Sequence, residues 1–111
     1  MKIERRQHPR ILVSWPDILQ SVEGSFYGET KDISVDAVFF FLSEKPELGR
    51  KSPIFLKPSG KNPIEAVVKR AWSGTLDIDD KSVFGMGAQF IYISPEDRQF
   101  FATLVEKERK D

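Results

Sequence analysis

Arg6 and Arg10 are separated by three residues, and Asp32-Ile33-Ser34-Val35-Asp36-Ala37 follows some twenty residues later. Pro9 disfavours the helical region at His8, so Arg6-Gln7-His8-Pro9-Arg10 is expected to be extended. With a side-chain period of two, both guanidinium groups then face the same way, about 13 Å apart at full stretch. Asp32 and Ser34 are expected to share a face as well, with Ile33 and Val35 on the other. An arginine fork matches phosphate oxygens or the O6/N7 edge of guanine, and its plane stacks on a purine. A carboxylate accepts paired hydrogen bonds from the N1–H and N2–H₂ donors of guanine, which adenine lacks. Together these groups suit a ligand that carries both phosphates and purine edges.

Each feature also has a plainer account. Basic N-terminal residues are usually solvated, aspartate is a common turn former, and a serine hydroxyl often bonds only to nearby backbone. The order and separation of the two segments favour the binding account.

This arrangement resembles the PilZ family of bacterial cyclic di-GMP receptors, which carries R-x-x-x-R at the start of the domain and D/N-x-S-x-x-G leading into a strand. The first motif is complete at Arg6 and Arg10, with Arg5 before it, and the second matches at Asp32 and Ser34. The likeness continues through Arg70-Ala71-Trp72, Gly85-Met86-Gly87-Ala88-Gln89-Phe90 and Ser94-Pro95-Glu96-Asp97-Arg98. The resemblance implies a six-stranded antiparallel β-barrel with a C-terminal α-helix. It also implies that Arg5, Arg6 and Arg10 grip phosphate and guanine as the arm folds over the barrel, with Asp32 and Ser34 holding the ligand. Ala37 departs from the pattern by standing where the family has glycine. If that position needs a left-handed backbone, alanine costs about 1–2 kcal/mol, roughly five- to thirtyfold in affinity. If the ligand packs against this Cα, the methyl blocks it. Trp72 is read as core or barrel surface, or as a flank for a bound guanine.

These residues need elements to hold them, and 111 residues suffice for one domain with a self-sufficient core. A flexible basic arm is expected over 1–10, a barrel over 11–93 and a helix over 95–108. Ile11, Val13 and Trp15 alternate before Pro16, which should mark a bulge or an edge. Further strands are expected over Ser25–Ile33, Val38–Leu42 (apolar on both faces, hence buried), Ile54–Lys57, Ile64–Trp72 and Phe84–Ile93. Pro58–Pro63 forms a hairpin loop, and Ser73-Gly74 with Asp77–Lys81 connects the last two strands. Ser94 caps the helix, Pro95 takes its first position, and Phe100, Phe101, Leu104 and Val105 form its apolar stripe.

Composition excludes much else. Seventeen basic residues balance seventeen acidic ones, which counts against a nucleic-acid-binding barrel, the distant third alternative. Without cysteine there are no disulfides, zinc–thiolate sites or thiol catalysis, and a reducing cytoplasm fits. The single histidine, His8, has no ligating neighbours, so neither a metal nor an enzyme's nucleophile–base pair is expected. Asp77–Ser82 lacks the oxygen and glycine positions of an EF-hand, and Gly85-Met86-Gly87 lacks a dinucleotide-binding setting. No apolar stretch reaches the ~18 residues of a membrane span. The expectation is a cytoplasmic cyclic di-GMP receptor without cofactor or catalysis, which signals to a protein partner through its arm. The alternative is a degenerate PilZ interaction module that has lost the ligand.

Overall fold

In the computed structural model, residues 10–21, 23–46 and 51–109 are described; Arg5, Arg6 and the rest of the expected arm up to Pro9 lie outside them. Six strands, β1 (Ile11–Ser21), β2 (Gly24–Ile33), β3 (Ala37–Leu42), β4 (Ser52–Leu56), β5 (Ile64–Ile78) and β6 (Lys81–Ile93), precede one helix, α1 (Pro95–Arg109). They close into an antiparallel barrel in the order β1-β2-β3-β6-β5-β4, with β1 pairing β4. Fold class and strand number are as the resemblance implies.

Alternation builds the wall. Ile54 and Leu56 of β4 and Ile64, Ala66 and Val68 of β5 are buried. These two strands pair from Ser52↔Val68 to Leu56↔Ile64 without a break in register. Across the barrel, Ile11, Leu19, Ile33, Val38, Phe40, Leu42, Phe84, Met86 and Ala88 complete the strands' share of the core. The helix adds Phe101 and Val105 to it. The Phe101 ring lies 6.1 Å from that of Trp15 and 5.6 Å from that of Phe90. Fully burying one such side chain stabilises by about 1.5–3 kcal/mol. Ser94 Oγ accepts from the Asp97 amide at 3.1 Å, which satisfies one of the helix's free N–H groups.

Elsewhere the register slips. Along β1, Val13 and Ser14 occupy the space that Lys31 alone fills on β2; between β2 and β3, Lys31 is the extra residue; between β5 and β6 these are Ile91 and Ala71. Such bulges bend the strand and re-aim the next side chain. Pro16 marks neither an edge nor the bulge itself. It pairs with Glu29 within β1, and its carbonyl accepts from the Lys57 amide at 2.9 Å. Ser73-Gly74 is not a connection either. Both residues pair with β6, and the hairpin turns only at Asp79-Asp80, whose φ values of 52° and 65° are left-handed. A continuous cross-strand ladder overrides the turn preference of the dipeptide. The expected burial of Val38–Leu42 on both faces also fails. Phe39 and Phe41 point outward and are half-buried, their rings 5.4 Å apart and edge to face.

Candidate functional site

The bulge at Lys31 decides where Asp32 points. Thr30 and Ile33 are buried, while Asp32 takes the outer face between Leu12 of β1 and Phe39 of β3. Arg10, immediately before β1, donates from Nη1 to Asp32 Oδ1 at 2.8 Å. The structure thus joins one residue from each sequence motif. The two side chains retain 27% and 21% of their exposure, so water screens the pair. Ion pairs of this kind contribute only about 0–1 kcal/mol. Exchange of either partner for a ligand group therefore costs little.

Ser34 does not share that face. Strand β2 ends at Ile33, and the chain turns through 34–36 with Ser34 only 1% exposed. The Ser34 hydroxyl donates to Asp36 Oδ1 at 2.7 Å and accepts from the Ala37 amide at 3.1 Å. The Ser34 amide donates to the Ala37 carbonyl at 2.9 Å. Serine here ties the turn together, one layer beneath Asp32. Two outside contacts hold the turn in place: the Phe90 amide donates to the Asp36 carbonyl, and Arg98 Nη1 of α1 donates to the Val35 carbonyl at 3.0 Å.

Ala37 opens β3 opposite Gln89 and is buried, with a backbone outside the left-handed region. The strain cost considered for alanine therefore does not arise. Only the room taken by its methyl remains.

Trp72 is turned out by the bulge at Ala71. Counted from Ile64, Ala66 and Val68, strict alternation would send it inward; instead it is 48% exposed and pairs with Gly87. Its ring lies 5.8 Å from that of Phe39. One transverse row of the outer wall thus runs Asp32–Phe39–Gly87–Trp72. Phe39 and Arg98 were missed as site-forming residues. The outward Gly85 was the available signal for Phe39: a Cβ there would lie 3.3 Å from the Phe39 ring, and a glycine in a strand invites cover by a neighbouring aromatic ring.

Nearby charges are paired among themselves. Lys31 bonds Glu29 at 2.9 Å and sits 5.5 Å from the Phe41 ring centre. The Ser14 hydroxyl and Lys31 hold the Glu29 carboxyl below its ordinary range. Among the described residues no group of three or more His, Asp or Glu side chains could hold a metal ion. No described helix is long and apolar enough to cross a membrane.

A sequence profile of the PilZ domain matches residues 4–107. The chain belongs to the PilZ domain family. Similar solved structures include the PilZ domain of YcgR from Escherichia coli with c-di-GMP, at 13% identity and TM-score 0.79, covering 96% of this chain and 94% of that one. MotI (DgrA), the inhibitor of motility of Bacillus subtilis, matches at 14% identity and TM-score 0.77 over 96% of this PilZ chain and 52% of its own. PlzA of Borreliella burgdorferi, in complex with c-di-GMP, matches at 14% identity and TM-score 0.72 over 91% and 51%. The PilZ chain thus spans about half the length of the latter two. At such identities these likenesses establish the fold alone. No curated protein sequence matches the chain.

Proposed function

We propose that this PilZ domain is a receptor for cyclic di-GMP, without catalysis or cofactor. The observation that carries this reading is the Arg10–Asp32 ion pair, which brings the two motif segments together on one outward face. In the bound state Arg10 turns its fork to phosphate or to the guanine O6/N7 edge, and Asp32 accepts from N1–H and N2–H₂. Arg5 and Arg6 join from the arm, and Trp72 flanks the base. Ser34 acts by keeping the turn in shape. Because Arg98 and Phe90 tie that turn to α1 and β6, a ligand-driven shift there alters a surface that a protein partner can read. A reducing cytoplasm is the compartment in which such a second messenger would meet the domain.

Ala37 favours a second reading, an interaction module that keeps the fold and has lost the ligand, since its methyl occupies the start of β3 beside the turn. Isothermal titration with cyclic di-GMP separates the two. The receptor reading expects saturable heat at micromolar protein. It also expects at least tenfold weaker binding by Arg10→Ala and Asp32→Ala with unchanged melting, as a charge-assisted hydrogen bond is worth roughly 1.5–3 kcal/mol. Asp32→Ala should also lose the preference for cyclic di-GMP over cyclic di-AMP. Absence of heat in the wild type selects the second reading.

A further inference from the structure

Strand β5 runs for 15 residues, but its neighbour β4 covers only Ile64–Val68. On the other side β6 accompanies it to its end at Ile78. Among the described residues, Lys69–Ile78 therefore has one open edge. Such an edge is a template for another strand unless charges, proline or a bulge blunt it. The bulge at Ala71 does so near its start. Beyond it, Trp72–Ile78 has neither lysine nor proline, carries a single charge at Asp77, and follows β6 in unbroken register. The turn at Asp79-Asp80 sets the direction of the backbone groups. In a two-residue hairpin the flanking residues, Ile78 and Lys81, close a hydrogen-bonded pair. Alternation then aims the N–H and C=O groups of Leu76 and Gly74 at β6, and those of Ser73, Thr75 and Asp77 at the open edge. Side chains alternate too, so Trp72, Leu76 and Ile78 share the outer face, with Trp72 and Ile78 exposed.

We propose that this edge pairs antiparallel with the same edge of a second copy of the chain, about a twofold axis at Thr75. Thr75 then faces its own counterpart, and Ser73 faces Asp77 of the second copy, each pair exchanging its free N–H and C=O groups. Between them, Trp72 faces Ile78 and Gly74 faces Leu76, in the pairs whose side chains approach most closely. The two large exposed apolar side chains of the segment thus cover one another. Charge fixes the direction. The edge begins basic at Lys69-Arg70 and ends acidic at Asp77, Asp79 and Asp80. Antiparallel pairing sets each basic end beside the acidic tip of the other copy, whereas parallel pairing would set like charges together. A single strand pair buries little, which places this association among weak, transient interfaces.

The pairing is independent of the receptor reading, and its test uses no ligand. Sedimentation velocity of the full chain, from low micromolar to near-millimolar concentration, should show a reversible monomer–dimer equilibrium. Amide hydrogen exchange at Ser73, Thr75 and Asp77 should slow as concentration rises. Thr75→Pro removes the N–H at the axis, and a proline facing an open edge leaves the barrel's own ladder intact. That variant should melt like the wild type and stay monomeric. Arg70→Glu, which meets Asp79 and Asp80 with like charge, should weaken the dimer severalfold. A wild type that is monomeric throughout overturns the proposal, whether or not the edge accepts a strand of another protein. A dimer that persists in folded Thr75→Pro, is undiminished in Arg70→Glu, or forms without protecting those three amides overturns it too. If Thr75→Pro fails to fold, Ile78→Lys on the exposed outer face decides: a folded monomer upholds the pairing, and an unchanged dimer overturns it.

Discussion

The wall formed by β4 and the first half of β5 differs in kind from the quadrant that carries Arg10, Asp32 and Trp72. In the wall, Ser52↔Val68 through Leu56↔Ile64 pair in step, and every second residue is buried. In the quadrant, bulges at Lys31 and Ala71 break the step, and each re-aims the residue after it: Asp32 and Trp72 both end on the outer face. The wall spends its residues on packing. The quadrant gives up ladder pairing to present a carboxylate and an indole on one row, with Phe39 and Gly87 between them. A strand can thus serve both core and site, provided the alternation is broken at the right residue.

Deleting one residue from each region is the strongest challenge to this contrast. Loss of Glu65 moves the following positions of β5 to the opposite face, so Ala66 and Val68 can no longer point inward together with Ile64. Circular dichroism and gel filtration should find no folded protein. Loss of Ala71 removes the extra residue and leaves Arg70↔Ala88 followed directly by Trp72↔Gly87. That variant should fold. If both deletions fold, or neither does, the two regions do not differ as described.

Much of the wall was legible in the sequence because its signal is local. Ile54, Ile64, Ala66 and Val68 alternate, and α1 announces itself through Ser94, Pro95 and the Phe100–Val105 stripe. The site was legible only as motifs. Arg10 and Asp32 could be named, but nothing in the local pattern says that Lys31 is an extra residue. A bulge is set by what the neighbouring strands oppose to it, and those partners are distant in the chain. The same holds for Ser34, whose alternation with Asp32 ends where β2 ends. It holds for Phe39 as well, whose ring packs on Gly85, forty-six residues later on β6.

A smaller effect comes from Asp17, a carboxylate inside the wall's side of the barrel and only 1% exposed. Its Oδ2 accepts from the Thr30 hydroxyl at 2.8 Å, while Oδ1 has no partner among the described residues. Burial pushes its pKa from 3.8 up to about 7; the Thr30 hydrogen bond opposes this and the Glu29 charge adds to it. The folded state thus holds a proton that the unfolded chain releases near pH 4. Stability from this group is fully present below about pH 4 and is lost progressively up to about pH 7, beyond which the cost is constant. That cost is at most about 4 kcal/mol, at ~1.4 kcal/mol for each tenfold change in proton affinity. Asp17→Asn, still able to accept from Thr30, should flatten urea-unfolding stability between pH 4 and 7 and exceed the wild type above pH 7. Parallel pH profiles would show that Asp17 is not the buried acid. Cyclic di-GMP affinity should be unaffected, because Asp17 faces the interior and Asp32 the exterior.

The smallest effect is expected at the hairpin tip, where β5 and β6 run on past the site. Asp79 and Asp80 both have left-handed backbones, the geometry of a two-residue turn that favours glycine at its second position. Aspartate tolerates this region better than most residues, so its strain is below the roughly 1–2 kcal/mol charged to an ordinary side chain. Glycine relieves it but adds freedom to the unfolded chain, an offset of about 0.5–1 kcal/mol. Asp80→Gly should therefore gain no more than about 1 kcal/mol, seen as a rise of a few degrees in melting temperature. The tip lies beyond the Ala71 bulge and the Gly87 row, so ligand affinity should stay at the wild-type value. A change in affinity would mean that the hairpin tip is coupled to the site, and that the quadrant extends past its bulges to the end of β5.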